Sequence, residues 1–161
     1  MKDAMIVIAK FNQLQNLKLL KLLDGLTDAQ RKQDVGTGYT FGSIHGALDR
    51  MAGTLAMSLN MLSDEGPGGP GGPGGPGAGA PKYDIDDYEA IKKKIIETDA
   101  GYVAGFEAIS EEKCVSGAGV PLYDMVMKGM FIANFVRGAV CQVLRTEFGI
   151  ESDLISGALL S

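Results

Sequence analysis

Few residues in this chain of 161 could do chemistry, and none has partners at a catalytic or metal-binding spacing. The only histidine is His45, and one histidine with scattered carboxylates does not make a transition-metal site. The cysteines, Cys114 and Cys141, form no Cys-x-x-Cys pair. Cys141 lies in an apolar stretch, where a thiol is an inert core residue rather than a nucleophile. We therefore predict no bound metal, no cofactor and no catalytic residue.

Two cations, Arg50 and Lys128, are a further candidate site. If both turned inward, they would form a cationic spot able to bind a carboxylate or a phosphate, and a desolvated lysine amine could act as a nucleophile. The alternative is that Lys128 extends to the surface and Arg50 pairs with a nearby acid. Buried lysines are rare, so we favour the alternative.

The formal net charge of −5 argues against two classes of partner, nucleic acid and anionic membrane surfaces. Binding to nucleic acid and to anionic membrane surfaces both need clustered Lys and Arg. The stretch from Met125 to Leu144 is long enough for a membrane helix, but Lys128 and Arg137 would be costly at membrane depth. Two cysteines without a disulfide framework favour a reducing compartment. We expect one cytoplasmic domain that binds neither nucleic acid nor membrane.

Helical spacing of apolar residues predicts four long helices and no convincing strand. The predicted spans are Asp3 to Leu23, Ser43 to Leu62, Asp84 or Asp86 to Ile109, and Pro121 to Phe148. In the first helix the expected core stripe is Val7, Phe11, Leu14, Leu17, Leu20 and Leu23. Thr27 is the predicted N-cap of a short helical turn after the first helix. The fold class is therefore all-α.

The fourth helix is apolar all round its wheel between Lys128 and Leu144, with only Lys128 and Arg137 charged. Such a helix is expected to be buried on most sides, with the other helices packed around it. The tail from Glu151 to Ser161 is expected to lie against the bundle through its large apolar residues, which are Leu154, Ile155, Leu159 and Leu160.

The low-complexity stretch Gly66–Pro81 is predicted to be a flexible linker within the single domain, residues 1–161. Antiparallel neighbours in a bundle need only about 2–8 connecting residues. The linker is longer than that and can span the length of a helix, so helices two and three should be parallel. The expected architecture is a four-helix bundle in up-down-down-up order.

Several motifs resemble those of the DinB-like family of metalloenzymes. The segments that carry the resemblance are residues 11–16 (Phe-Asn-Gln-Leu-Gln-Asn), residues 26–31, residues 41–48 (Phe-Gly-Ser-Ile-His-Gly-Ala-Leu), Asp99 and Arg137-Gly138. The resemblance covers nearly the whole chain. It implies a four-helix bundle that is commonly a homodimer.

The family's chemistry centres on three histidines that bind a divalent metal. The resemblance assigns these ligand positions to Arg50, Ile132 and Val136, none of which can replace a histidine, and His45 matches a non-ligand position. Tryptophans common in the family are replaced here by Leu14, Gly53 and Ser58. Our hypothesis is a remodelled pocket in a natural or engineered scaffold.

The site that this reading predicts is an apolar pocket for a small molecule at the former metal site. Its residues are Arg50, Gly53, Met57, Lys128, Gly129, Ile132, Ala133 and Val136. The alternative, which we favour slightly, is that Gly129 and Ala133 allow close helix packing. The leading function is a metal-free, non-catalytic bundle with a pocket or an interaction surface. The other hypotheses are a metal-dependent DinB-family enzyme (a thiol-dependent transferase or isomerase, or a hydrolase) and a homodimerisation module presenting Phe131 and Phe135.

Overall fold

The computed structural model describes residues 1–36, 39, 41–60, 62, 85–112 and 122–152. The described part contains five helices, which are α1 (Lys2–Leu23), α2 (Asp28–Lys32), α3 (Ile44–Asn60), α4 (Tyr88–Ala108) and α5 (Leu122–Phe148). The all-α prediction is confirmed, and the four long helices lie where the apolar spacing places them. The predicted linker Gly66–Pro81, Cys114 and the tail from Asp153 lie outside the described residues.

Local signals fix the helix ends. The Thr27 hydroxyl accepts a hydrogen bond from the Gln30 N–H at 3.2 Å, and the Gln30 side chain accepts one from the Thr27 N–H at 2.9 Å. This reciprocal pair is a capping box, and it confirms Thr27 as an N-cap. The Ser43 hydroxyl accepts from the Gly46 N–H at 3.0 Å at the start of α3. After α5, Gly149 adopts a φ of 65°, the left-handed conformation that terminates helices.

The four long helices share one core. They contact one another in a ring, in which α1 meets α4, α4 meets α3, α3 meets α5, and α5 meets α1. The inward faces of α3 and α4 carry large buried side chains at helical spacing, which are Ile44, Leu48, Met51 and Leu55 on α3 and Tyr88, Ile91, Ile95, Tyr102 and Phe106 on α4.

The stripe predicted for α1 is wrong at three positions. Val7, Leu14 and Leu17 are 66%, 49% and 44% exposed. The face that α1 turns inward is instead formed by Met5, Ala9, Asn12, Gln15, Asn16, Leu19, Leu20 and Leu23. Two asparagines lie on this inward face because the interior offers them hydrogen-bond partners, as described below.

The expectation that α5 is buried on most sides is also wrong. Phe131, Ile132 and Phe135 are 72%, 39% and 58% exposed. In a ring of four helices around one core, each helix has only one face inward, so an apolar residue on the far side of α5 stays on the surface. No helix in the described ranges is long and apolar enough to cross a membrane.

Side-chain contacts give the relative direction of α1 and α4. The Lys10 ammonium lies 2.9 Å from the Glu107 carboxylate. The Tyr88 hydroxyl donates to the Asp24 carboxylate at 3.0 Å. Low numbers on α1 therefore meet high numbers on α4, and the two helices are antiparallel.

The contacts between α3 and α4, in contrast, pair low residue numbers with low ones and high with high, so these two helices are parallel. The His45 Nε2 lies 2.7 Å from the Ile85 carbonyl oxygen, just before α4 begins. The Tyr102 hydroxyl donates to the Leu55 carbonyl at 2.9 Å. Residue numbers thus rise together along these two neighbouring helices.

Candidate functional site

A buried polar network joins three of the long helices. Asn12 and Asn16 come from α1, Asp99 from α4 and Arg137 from α5, and all four are at least 95% buried. The two asparagines are four residues apart, so they lie on the same face of α1 one turn apart. Charged and amide groups at this depth need partners, because an unpaired polar group in the interior is costly.

The hydrogen bonds of the network are donated in one direction, from Arg137 to the two amides and from the amides to Asp99. The Arg137 Nη1 donates to the side-chain oxygens of both Asn12, at 2.8 Å, and Asn16. The Asn12 Nδ2 donates to Asp99 Oδ1 at 3.2 Å, and the Asn16 Nδ2 donates to Asp99 Oδ2 at 2.8 Å. A guanidinium can only donate and an ionised carboxylate can only accept, so each amide has one allowed orientation. Arg137 Nη2 also donates to the Asn134 side chain.

Burial dominates the electrostatics of the network. It raises the pKa of Asp99 to about 6, although the hydrogen bonds from Asn16 and Asn12 and the positive charge of Arg137 act to lower it. Burial also lowers the pKa of Arg137 to about 10, against the opposing effect of Asp99. At neutral pH the network therefore holds a negative and a positive charge, bridged by two amides.

The two carboxylate oxygens of Asp99 are both occupied by asparagine donors, and the whole network is shielded from solvent. A carboxylate in this setting has no route to a substrate. Its physical role is to hold α1, α4 and α5 in one relative position, because any sliding of one helix would leave a buried charge unpaired.

The positions of the polar residues in the sequence carry a signal for this network, although the network is not among the predicted sites. Asn12 and Asn16 have the four-residue spacing of one helix face. Asp99 continues the inward stripe of α4 between Ile95 and Tyr102. Polar residues at core positions of separate helices are candidates for mutual contact, since burial is tolerated only when they pair.

The residues of the predicted pocket divide into two groups. Gly53, Gly129, Ala133 and Val136 are buried. The other four are exposed, and these are Arg50, Met57, Lys128 and Ile132. Arg50 and Lys128 are both exposed, so they do not turn inward to form a buried cationic spot.

The buried small residues serve close packing between α3 and α5. A Cβ atom built on Gly129 would lie 2.4 Å from the Ser58 Oγ and 2.8 Å from the Ser58 Cβ. No such approach is possible between real side chains, so the volume that glycine leaves is filled by the neighbouring helix. At Gly129 the structure supports the close-packing alternative over an internal pocket.

This contact predicts opposite effects for two glycines of the same helix. We expect Gly129→Ala to lower the free energy of unfolding by about 1–3 kcal/mol, because the new methyl group overpacks against Ser58. Gly138→Ala is the matched control. A Cβ there would meet nothing within 4 Å, so the better helix propensity of alanine should stabilise by up to about 1 kcal/mol. Urea unfolding measures both, and equal effects would contradict the close contact.

The accessible part of the predicted site is on the outside of α5. An open groove of about 490 Å³ is lined by Asp124, Met127, Lys128, Phe131 and Ile132. One turn beyond Phe131, the ring of Phe135 meets the edge of the Phe41 ring, with 6.4 Å between the ring centroids. We call Met127, Phe131, Ile132 and Phe135 the outer face of α5.

Within the described residues, no group of three or more His, Cys, Asp or Glu side chains could hold a metal ion. Of the positions that the resemblance assigns to metal ligands, Arg50 and Ile132 are exposed and Val136 is fully buried. None of the three side chains is a metal ligand.

Comparison of the chain with protein-family models, with curated proteins and with solved structures finds no match. The DinB-like resemblance therefore rests on the motif residues quoted above. Four of these residues, Asn12, Asn16, Asp99 and Arg137, are the members of the buried network.

Proposed function

We propose that this chain is a metal-free, non-catalytic DinB-like bundle that acts as an interaction module, and that the outer face of α5 joins two copies into a homodimer. In this proposal the four long helices run up-down-down-up, with Gly66–Pro81 as the crossover between α3 and α4. The rising residue numbers along both α3 and α4 support the parallel pairing that such a crossover requires.

The observation that carries the proposal is the exposure of two phenylalanines one turn apart. Phe131 and Phe135 share one side of α5 and present most of their rings to solvent. Surface apolar residues are common singly, but clustered aromatic side chains are typical of interface centres. Ile132 and Met127 extend the apolar area on either side.

A two-fold symmetric contact suits this surface. In such a contact the same patch is used on both copies, so two α5 helices would cross with their phenylalanines interleaved at the centre. Asp124 and Lys128 line the edge of the groove with opposite charges, which supplies the polar rim that surrounds an apolar interface centre.

A second candidate function is binding of an apolar small molecule in the same groove. Its volume of about 490 Å³ favours this candidate, since ligand pockets commonly measure about 300–1,000 Å³. Its described lining residues all belong to α5 and include the exposed Phe131, which suits contact with a second protein surface, so the protein contact is the first choice.

Sedimentation equilibrium over a range of protein concentrations tests the homodimer. We expect Phe131→Ser and Phe135→Ser each to weaken dimerisation at least about tenfold, because central aromatic residues contribute most of the binding energy. Val7→Ser is the matched control, since Val7 is an equally exposed apolar residue on α1. A wild-type protein that stays monomeric at all concentrations would overturn the proposal. Thermal stabilisation by apolar compounds that is lost in Phe131→Ser would favour the second candidate.

A further inference from the structure

The side of α1 that faces away from the core carries exposed apolar residues at regular spacing. Val7, Leu14 and Leu17 are exposed there, and Lys10 and Lys21 continue the same stripe in steps of three or four residues. Two seam positions in every seven residues is the pattern by which one α-helix packs lengthwise against another. From residue 7 to residue 21 the stripe is about 21 Å long, which is enough for a helix of several turns to lie along it.

The same side of α1 is positively charged in an otherwise acidic protein. The helix contains four lysines and one acidic residue, a net charge of +3, whereas the whole chain carries −5, so the remainder carries −8. Lys10 already pairs with Glu107 on α4. Lys18 and Lys21 are exposed, and neither forms an ion pair with a carboxylate in the described part of the chain. The stripe therefore combines apolar side chains with two lysines that are available to an acidic partner.

We propose that this side of α1 docks an amphipathic α-helix of a partner protein, one whose apolar stripe is flanked by Asp or Glu residues. We call Val7, Lys10, Leu14, Leu17, Lys18 and Lys21 the outer face of α1. Its apolar side chains meet the apolar stripe of the partner helix, while Lys18 and Lys21 pair with the flanking carboxylates. Charge pairs at such flanking positions set the choice of partner and its orientation. The outer face of α1 lies on a different helix from the proposed homodimer contact, so this docking stands without the homodimer.

Two other occupants fit the outer face of α1 less well. An anionic membrane would attract the lysines, but Lys10 lies between Val7 and Leu14, so burying the apolar residues in lipid would bury a lysine with them. The negative charge on the rest of the chain also opposes approach to anionic lipid. A second copy presenting the same face would bring two positively charged stripes together, which is unfavourable. A helix with flanking carboxylates satisfies both the apolar and the charged side chains.

The test uses the full chain and a fluorescein-labelled synthetic helical peptide of three heptads, with Leu at both seam positions and Glu at the flanking positions (the Glu peptide). Fluorescence anisotropy measures its dissociation constant. We expect Leu14→Ser with Leu17→Ser (the apolar variant) and Lys18→Glu with Lys21→Glu (the charge variant) each to weaken binding at least about tenfold. All four side chains are exposed, so the variants should fold as the wild type does. Failure of the wild-type protein to bind the Glu peptide would overturn the docking.

Two controls separate specific charge pairing from general electrostatic attraction. Lys93→Glu with Lys128→Glu makes the same change in net charge at exposed lysines of α4 and α5, and it should alter binding less than about twofold. A second peptide with Lys in place of Glu should bind the wild type at least about tenfold more weakly than the Glu peptide does. The charge variant should reverse that preference. Equal binding of the two peptides by the wild type would contradict the charge complementarity on which the proposal rests.

Further measurements on the apolar variant identify the other occupants. Binding of the wild type to vesicles of phosphatidylcholine and phosphatidylserine in equal parts, lost in the apolar variant, would assign the face to lipid and overturn the helical partner. Weaker self-association of the apolar variant in sedimentation equilibrium would assign the face to a second copy and would also overturn it. Peptide binding that persists in Phe131→Ser, or in a wild-type protein that is monomeric, would support this docking whatever the fate of the proposed homodimer.

Discussion

Replacing Arg137 with methionine is expected to lower the free energy of unfolding by about 3–5 kcal/mol at pH 7, the largest effect among the substitutions considered for this chain. Methionine keeps much of the side-chain volume but removes the positive charge that faces Asp99. It also leaves the Asn12 and Asn16 oxygens without their donor. The buried carboxylate then stays desolvated with no compensating charge, and chemical denaturation would measure the loss.

The matched control is Arg145→Met on the same helix. Arg145 is exposed and pairs with Glu151, so solvent screens the pair and its removal should cost far less than the removal of Arg137. The loss in Arg137→Met should also shrink as the pH falls from 7 to 5, because a protonated Asp99 no longer needs a cation. A loss that is independent of pH would indicate a packing defect instead, and a loss no larger than the control would contradict the network.

The second large effect is the pH dependence of stability that Asp99 creates in the wild-type protein. Burial raises its pKa from the ordinary value of 3.8 to about 6, so the carboxyl holds its proton more tightly in the folded than in the unfolded chain. Stability from this group is therefore complete below about pH 4 and is lost as the pH rises through about 6. Over that window we expect its contribution to fall by about 3 kcal/mol.

Asp99→Asn provides the comparison, because asparagine does not titrate. The difference in unfolding free energy between wild type and Asp99→Asn should move against the wild type as the pH rises from about 4 to 6.5. Glu107→Gln, which removes an exposed carboxylate paired with Lys10, is the control for loss of a carboxylate outside the buried network. A wild-type profile that tracks Asp99→Asn throughout would show that the folded protein does not hold the Asp99 proton more tightly.

Local chemistry made the helices of this chain predictable. The apolar spacing places the four long helices, and Thr27 caps α2 together with Gln30. Gly149 ends α5 with a positive φ, which glycine adopts more readily than other residues. These signals depend only on residues close together in the chain, so they can be read from the sequence without the fold.

The faces of α1 and α5 were not predictable in the same way. Each helix carries more apolar residues than one inward face can hold, so the periodicity of α1 fits a stripe through Leu14 as well as one through Leu19. On α5 the apolar residues surround the wheel, and only the position of its neighbours decides that Phe131 faces solvent while Val136 is fully buried.

The sequence by itself determined the helical fold class of the described residues, the approximate positions of the long helices and the absence of a histidine at each position that the family resemblance assigns to a metal ligand. Only the tertiary structure decided that Asn12 and Asn16 turn inward, because their partners Asp99 and Arg137 lie more than 80 residues away along the chain. From the sequence, an amide at such a position is only a candidate for burial, because its hydrogen-bond partners lie on other helices. The physical reason is that helix formation depends on near neighbours, whereas the burial of a polar group depends on distant ones.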